Sequence, residues 1–134
     1  MKTIFIIFSF LPSILLAQVE CDLYTIVDSV SANGWRADTL GLSGGRNQFY
    51  NSYFYHLYKG LEKISLKGKN VACIQSVFGK PNKIIKRDAT HEVHIYFIRG
   101  FIGYKNGKQE HTGEALEIEY SNGVVLSYSI MIDN

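Results

Sequence analysis

The chain has 134 residues, enough for one domain. Its formal net charge is +2, from 14 basic and 12 acidic residues. A balance so close to neutral argues against a nucleic-acid-binding domain, which carries a marked basic excess.

Taken in order, the chain opens on Lys2 and an apolar run from Ile4 to Leu16, interrupted by Ser9, Pro12 and Ser13, and closed by the small residue Ala17. This is the pattern of a secretory signal peptide over residues 1–17, leaving residues 18–134 as a single domain. The rival reading is a membrane anchor, but the run is shorter than the ~20 residues that span a bilayer, and Pro12 sits inside it. A lipid anchor on Cys21 would need small residues before it, and Gln18, Val19 and Glu20 are not that. The sequence therefore predicts a soluble periplasmic or secreted protein with no membrane span after cleavage. Removing Lys2 with the signal takes the 14 basic residues to 13 against 12 acidic ones.

The two cysteines, Cys21 and Cys73, would meet an oxidising compartment, so a disulfide is the first expectation. Closing a loop of roughly 50 residues stabilises a fold by about 4 kcal/mol in the chain-entropy model. The alternative is a buried apolar Cys73 and a free Cys21 thiol. No CxxC motif or structural-zinc spacing is present.

Residues 22–30 place Leu23, Ile26, Val27 and Val30 at helical spacing, which predicts a short helix, with an extended arm as the alternative. Ser31 to Gly34 then reads as a break. Trp35 to Arg46 carries the sole Trp and three glycines, and predicts an ordered loop with a helical turn near Ala37 to Leu40. Trp35 either plugs the edge of the core or stacks on a partner. Asn47 to Ile64 predicts the longest helix, because Phe49, Tyr53, Leu57, Leu61 and Ile64 draw one apolar stripe. Ser43 or Asn47 would cap its start. Its tyrosines, among them Tyr50, Tyr55 and Tyr58, make either a half-buried face or a partner-binding surface together with Trp35.

Asn70 is a good N-cap for a helix whose Val71, Ile74, Val77 and Phe78 face inward, and Gly79 and Pro81 end it. Ile84 and Ile85 predict a short strand flanked by Lys83 and Lys86. A turn at Asp88 to Thr90 follows, then a strand over 92–99, with Val93, Ile95 and Phe97 on one face and His94, Tyr96 and Ile98 on the other. Gly100 and Gly103 read as its end, and Lys105 to Gly113 as a loop with a turn at Asn106-Gly107. Leu116, Ile118 and Tyr120 alternate with Ala115, Glu117 and Glu119 on the next strand. Asn122-Gly123 is the dipeptide of a type I′ hairpin turn. The return strand is read with Val124, Leu126, Tyr128, Ile130 and Ile132 on the apolar face. The fold class is thus α+β, with two or three N-terminal helices packed on one face of a three- to four-stranded antiparallel sheet.

The stretch Gly68, Asn70, Ile74, Phe78, Gly79, Pro81, followed by Tyr96 on a strand, resembles the BamE/SmpA-like (SmpA/OmlA) small periplasmic lipoproteins. The two-helix, antiparallel-sheet layout is similar to that of β-lactamase-inhibitor-protein-like domains. The resemblance spans about residues 45 to 132 in layout and 68 to 81 in motif. The chain departs from those lipoproteins in its lack of a lipidation site and in the extra segment that carries Trp35. The resemblance implies this fold and a habit of binding proteins without turning over substrates.

Catalytic patterns are sparse. His91 and His94 are three apart on a strand and so point to opposite faces. HEVH is not the HExxH helix of a zinc protease. A metal site from His91, Glu92 and His111 is the sharper alternative to four surface or turn histidines, His56 included. Glu114, Glu117 and Glu119 read as a solvated sheet face, with a carboxylate pair for glycoside hydrolysis as the alternative. No GxSxG elbow or phosphate loop is present. The basic middle of the chain, with Lys80, Lys83, Lys86 and Arg87 in it, faces either acidic Glu110 to Glu119 or an acidic partner. We therefore expect a non-enzymatic, cofactor-free protein-binding domain, serving as an envelope assembly or scaffold factor or as an inhibitor or immunity protein towards a toxin or enzyme. A small-ligand or lipid carrier with a pocket between helices and sheet is the alternative. Mass spectrometry of the protein recovered after export is expected to find Gln18 at the N-terminus; a chain retaining Met1 would refute the signal reading.

Overall fold

The computed structural model describes residues 21–54 and 64–133. Helices α1 (Leu23–Ile26), α2 (Ser29–Ala37), α3 (Gly45–Phe49) and α4 (Val71–Phe78) precede strands β1 (Lys83–Lys86), β2 (His91–Lys105), β3 (Lys108–Ser121) and β4 (Val124–Asp133). The strands form one antiparallel sheet in the order β1-β2-β3-β4. The helices lie on the sheet face that carries Tyr96, Ile98, Leu116, Ile118 and Tyr120, and the core is shared between them. This is the expected α+β arrangement.

The α4 unit follows its sequence closely. The Asn70 side chain accepts the Cys73 backbone N–H at 2.7 Å, filling one donor left open at the helix start. Cys73, Ile74, Val77 and Phe78 face the core, and Gly79 leaves the helix at φ 73°. Residues 31–34, expected as a break, instead belong to α2. Asp28 caps that helix, accepting the Ser31 N–H at 2.7 Å. Gly45 is required by proximity: a side chain on it would meet the Gly34 carbonyl oxygen at 2.1 Å, so α3 crosses α2 at backbone contact, whereas a Cβ on Gly34 would come no nearer than 3.9 Å to Gly45. Trp35 consequently lies on a helix and not in a loop.

The helix expected over Asn47–Ile64 begins earlier and changes pitch. It starts at Gly45 behind Gly44, whose φ is 93°, and neither Ser43 nor Asn47 caps it. After Phe49 it widens into a π-helical turn, Tyr50–Phe54. Phe49 and Phe54 are buried, as the stripe requires, while Ile64 is buried outside a helix. Tyr55, His56, Leu57, Tyr58, Gly60 and Leu61 lie outside the described residues.

The strands extend further than their sequences suggested. β2 and β3 continue past Gly100 through the stretch read as a loop, and join at Asn106-Gly107, both with positive φ. Most of the polar residues there sit exposed on a two-stranded ribbon, with His111 near its base buried. Gly100 and Gly113 pair across the ribbon's base, where a side chain on either would lie 2.0 to 2.2 Å from the opposite backbone. In β4 a register shift between Glu119 and Tyr120 places Val125, and not Val124 or Leu126, opposite Tyr120. The bulge reverses the alternation. Val125 is 2% exposed and Leu126 48%, whereas Tyr128 and Ile130 return to the core side.

Cys21 and Cys73 are disulfide-bonded, with Cα atoms 5.2 Å apart, tying the start of the domain to α4. The Lys69 ammonium also pairs with Asp22 there. Replacing Cys73 with Ala is expected to lower the unfolding free energy by about 4 kcal/mol in urea titrations. The oxidised protein should gain the mass of two hydrogens on reduction; an unchanged mass would refute the bridge.

Candidate functional site

Three polar residues from different segments meet beneath the sheet's bulge. Asp38, just after α2, accepts backbone N–H groups of Leu42 (2.8 Å), Ser43 (3.0 Å) and Arg46 (3.1 Å). It therefore does the capping that Ser43 or Asn47 was expected to do. Burial pushes its pKa up, but the hydrogen bonds from Ser43, Arg46 and Leu42 outweigh burial and hold the carboxyl below its usual range. Gly41, at φ 71°, lays the same loop on the backbone of Phe97 and Ile98.

Arg46 is 2% exposed. Its Nε donates to the Trp35 carbonyl at 3.3 Å, and its Nη1 donates to the Asn82 side-chain oxygen at 2.6 Å and to the Phe97 carbonyl at 2.9 Å. The guanidinium carbon lies 5.1 Å from the Trp35 ring centre and 5.8 Å from that of Tyr96. Burial lowers its pKa to about 10, opposed by the charges of Asp38 and Tyr96, so it stays cationic at neutral pH. Asn82 completes the group, accepting the Phe97 N–H at 2.9 Å and donating to the Thr39 carbonyl at 2.7 Å.

Above this network lies a cleft of about 350 Å³, lined among others by Arg36, Leu40, Arg46, Phe78, Lys80, Pro81, Lys83 and Phe97. Arg36 caps α4 from the cleft wall, donating to the Ser76 and Val77 carbonyls at 3.1 and 3.0 Å. Lys83 places its ammonium 5.9 Å from the Phe97 ring centre. A second cleft, of about 370 Å³, lies at the turn between β1 and β2 and is lined by Lys86, Asp88, Thr90, His91 and Glu92 among others. There Asp88 accepts the N–H groups of Thr90 and His91, which hold its carboxyl well below the usual range.

The sequence-predicted site residues are dispersed. Trp35 is 0% exposed and touches Phe49, Phe78 and Tyr96 edge-on at 5.1 to 6.0 Å, so it is the centre of the core and presents no surface to a partner. Tyr50 is buried beside Arg99, whose guanidinium lies 5.4 Å from its ring centre. Tyr55 and Tyr58 lie outside the described residues. The histidines were read as surface residues, yet two of the described ones are buried. His94 is 1% exposed, bonded through Nε2 to Glu92 at 2.9 Å and packed on Tyr120. His111 stacks on Phe97 with ring centres 4.1 Å apart. His91 and His111 sit towards opposite ends of the hairpin. No group of three or more His, Cys, Asp or Glu able to hold a metal occurs among the described residues.

Glu114 is drawn out of the expected acidic face by Arg99, which bonds it at 2.5 Å and reaches Asn47 at 3.0 Å. The ribbon beyond this ion pair carries the two most exposed aromatics among the described residues, Phe101 (80%) and Tyr104 (78%). Sequence reasoning passed over both, although aromatics spaced three apart beside an Asn-Gly turn were a visible signal. It also missed Asp38, Arg46 and Asn82, for which no local pattern exists.

Comparison with family models, with curated proteins and with solved structures finds no match. Among the described residues no helix is long and apolar enough to cross a membrane. The bonded cysteine pair is compatible with an extracytoplasmic setting.

Asp38 generates a pH dependence with a defined sign. Its folded pKa lies below the unfolded value of about 3.9, so its stabilisation is complete above that value and is lost as pH falls through the folded one. Asp38→Asn is expected to cost about 1–3 kcal/mol at pH 7 and to flatten the fall in stability between about pH 5 and 3. Urea titrations at several pH values check both; equal acid slopes in the two proteins would contradict the assignment.

Proposed function

We propose that the protein is a small exported, non-catalytic protein-binding domain of BamE/SmpA-like type, acting as an envelope assembly factor or as an inhibitor or immunity protein. The observation that carries this reading is the β2–β3 ribbon. Residues 101–112 pair only with one another, beyond the reach of β1 and β4. An unsupported two-stranded ribbon is marginal in water and gains most by packing on something else. Phe101 and Tyr104, three residues apart, lie on opposite faces of it, and large exposed aromatics are the residues that anchor protein interfaces.

The carrier alternative requires a well-formed apolar cavity. Both clefts described above are instead bordered by charged side chains, which favours the protein-binding reading. The leader-like pattern of residues 1–17 and the disulfide support export, and the resemblance of residues 68–81 supports a binding role.

Photo-crosslinking in the producing cell tests this. A benzoylphenylalanine placed at Phe101 or Tyr104 is expected to give a discrete higher-mass adduct, whereas the same residue at exposed Ala89 in the β1–β2 turn is not. Adducts at neither ribbon position, or equal adducts at all three, would overturn the reading.

A further inference from the structure

We propose that the cleft over the Asp38–Arg46–Asn82 network is an oxyanion site that seats a carboxylate side chain of the bound partner protein. The inference rests on the protein-binding reading and adds the chemistry that the partner must bring.

Four cations, Arg36, Arg46, Lys80 and Lys83, border the cleft, and no Asp or Glu does. Asp38, behind it, has its oxygens occupied by three backbone N–H groups. Arg46 forms no ion pair within 4 Å among the described residues. Asp38 offsets part of the cost of burying Arg46 through its charge but makes no direct ion pair with it, so an arriving carboxylate would add a direct partner and gain charge-assisted hydrogen bonds. Arg46 is also already oriented: its Nε and Nη1 are fixed on three acceptors, so its remaining donors need no ordering when an anion arrives.

The cleft is not uniformly polar. Phe78, Pro81 and Phe97 border it between the cations, giving an apolar wall for the aliphatic part of a Glu or Asp side chain. That wall favours a peptide carboxylate over inorganic phosphate, which has no apolar part to bury. Its volume lies at the low end of small-ligand clefts, about 300–1,000 Å³, which suits one or two side chains. The cleft also adjoins the ribbon. Phe97 carries Lys83 at 5.9 Å and stacks against His111 of the ribbon, so one partner can lie across both surfaces.

The test uses the disulfide-bonded protein and three probes: hexaglutamate peptide, hexaglutamine peptide and inorganic phosphate. In nitrogen-15 spectra, hexaglutamate is expected to shift the backbone amides of Lys80 and Lys83 and the Asn82 side-chain amide. The shifts should weaken as NaCl rises from about 50 to about 300 mM. Hexaglutamine should leave these signals in place, and phosphate should need about tenfold higher concentration. Lys80 and Lys83 are exposed, so K80A/K83A is expected to fold normally while losing about tenfold in hexaglutamate affinity.

Shifts confined to Lys69, Lys86 or Arg87, an unchanged affinity in K80A/K83A, or phosphate binding as tightly as the peptide would each overturn the site. F101S/Y104S separates this proposal from the ribbon. It should abolish crosslinking to the partner through benzoylphenylalanine at exposed Leu42 while leaving hexaglutamate binding unchanged; loss of hexaglutamate binding in that variant would contradict a site in the cleft.

Discussion

The guanidinium of Arg46 is the constraint on which the rest of the structure depends. It is removed from water almost completely, and that removal is tolerated because three acceptors from three segments converge on it. The Trp35 carbonyl belongs to the last turn of α2, the Asn82 side chain to the approach to β1, and the Phe97 carbonyl to the bulge of β2. The Trp35 carbonyl also accepts the Asp38 N–H and the Asn82 oxygen also accepts the Phe97 N–H, so the arginine adds a second donor to acceptors already in use. The aromatic rings of Trp35 and Tyr96 below it add an attraction of about 1–2 kcal/mol in such a dry setting. The helical layer and the sheet are therefore joined by a polar clasp as well as by apolar contact. The edge strand β1, by contrast, is short and flanked by Lys83 and Lys86, a common protection against edge-to-edge association.

The surfaces follow from two irregularities in the sheet. The register shift between Phe97 and Arg99 turns Arg99 towards Glu114 and Asn47, which anchors the base of the ribbon. The facing pair Gly100 and Gly113, one step further on, brings the two backbones closer than any side chain would permit. Beyond that joint the ribbon carries its aromatics free of the body, while before it Phe97 remains part of the cleft. A sheet without these two features would bury the aromatics of β2 or leave them on one flat face.

Much of the fold was legible because its signals were local. Asn70 with Gly79 and Pro81 delimited α4, and Asn122-Gly123 placed the last hairpin. Alternation assigned Leu116, Ile118 and Tyr120 to the core. The failures have a common physical origin in contacts between distant segments. Ser31 to Gly34 reads as a break, but Asp28 caps the helix through it and Gly45 of the next helix packs on its Gly34 carbonyl. Polar residues 105–113 read as a loop because a mostly exposed ribbon buries too few residues to reveal its period, His111 being the buried one. The bulge at Glu119 and Tyr120 exchanges Leu126 for Val125, which composition cannot show. The candidate site was less legible still. The lysines at 80 and 83 were visible as a basic run, but nothing near Arg46 in sequence announces that it will be buried. Trp35 was placed at the edge of the core and stands at its centre.

That placement of the single indole has an optical consequence. Trp35 touches Phe49 of α3, Phe78 of α4 and Tyr96 of β2, and its Nε1 is buried without an acceptor among the described residues. Its emission is thus one chromophore's report on four elements at once, set at the blue end by an environment without water. Loosening of any of the four would move the band to the red. Rearrangement at the far tip, past the paired glycines, would be silent in the same channel.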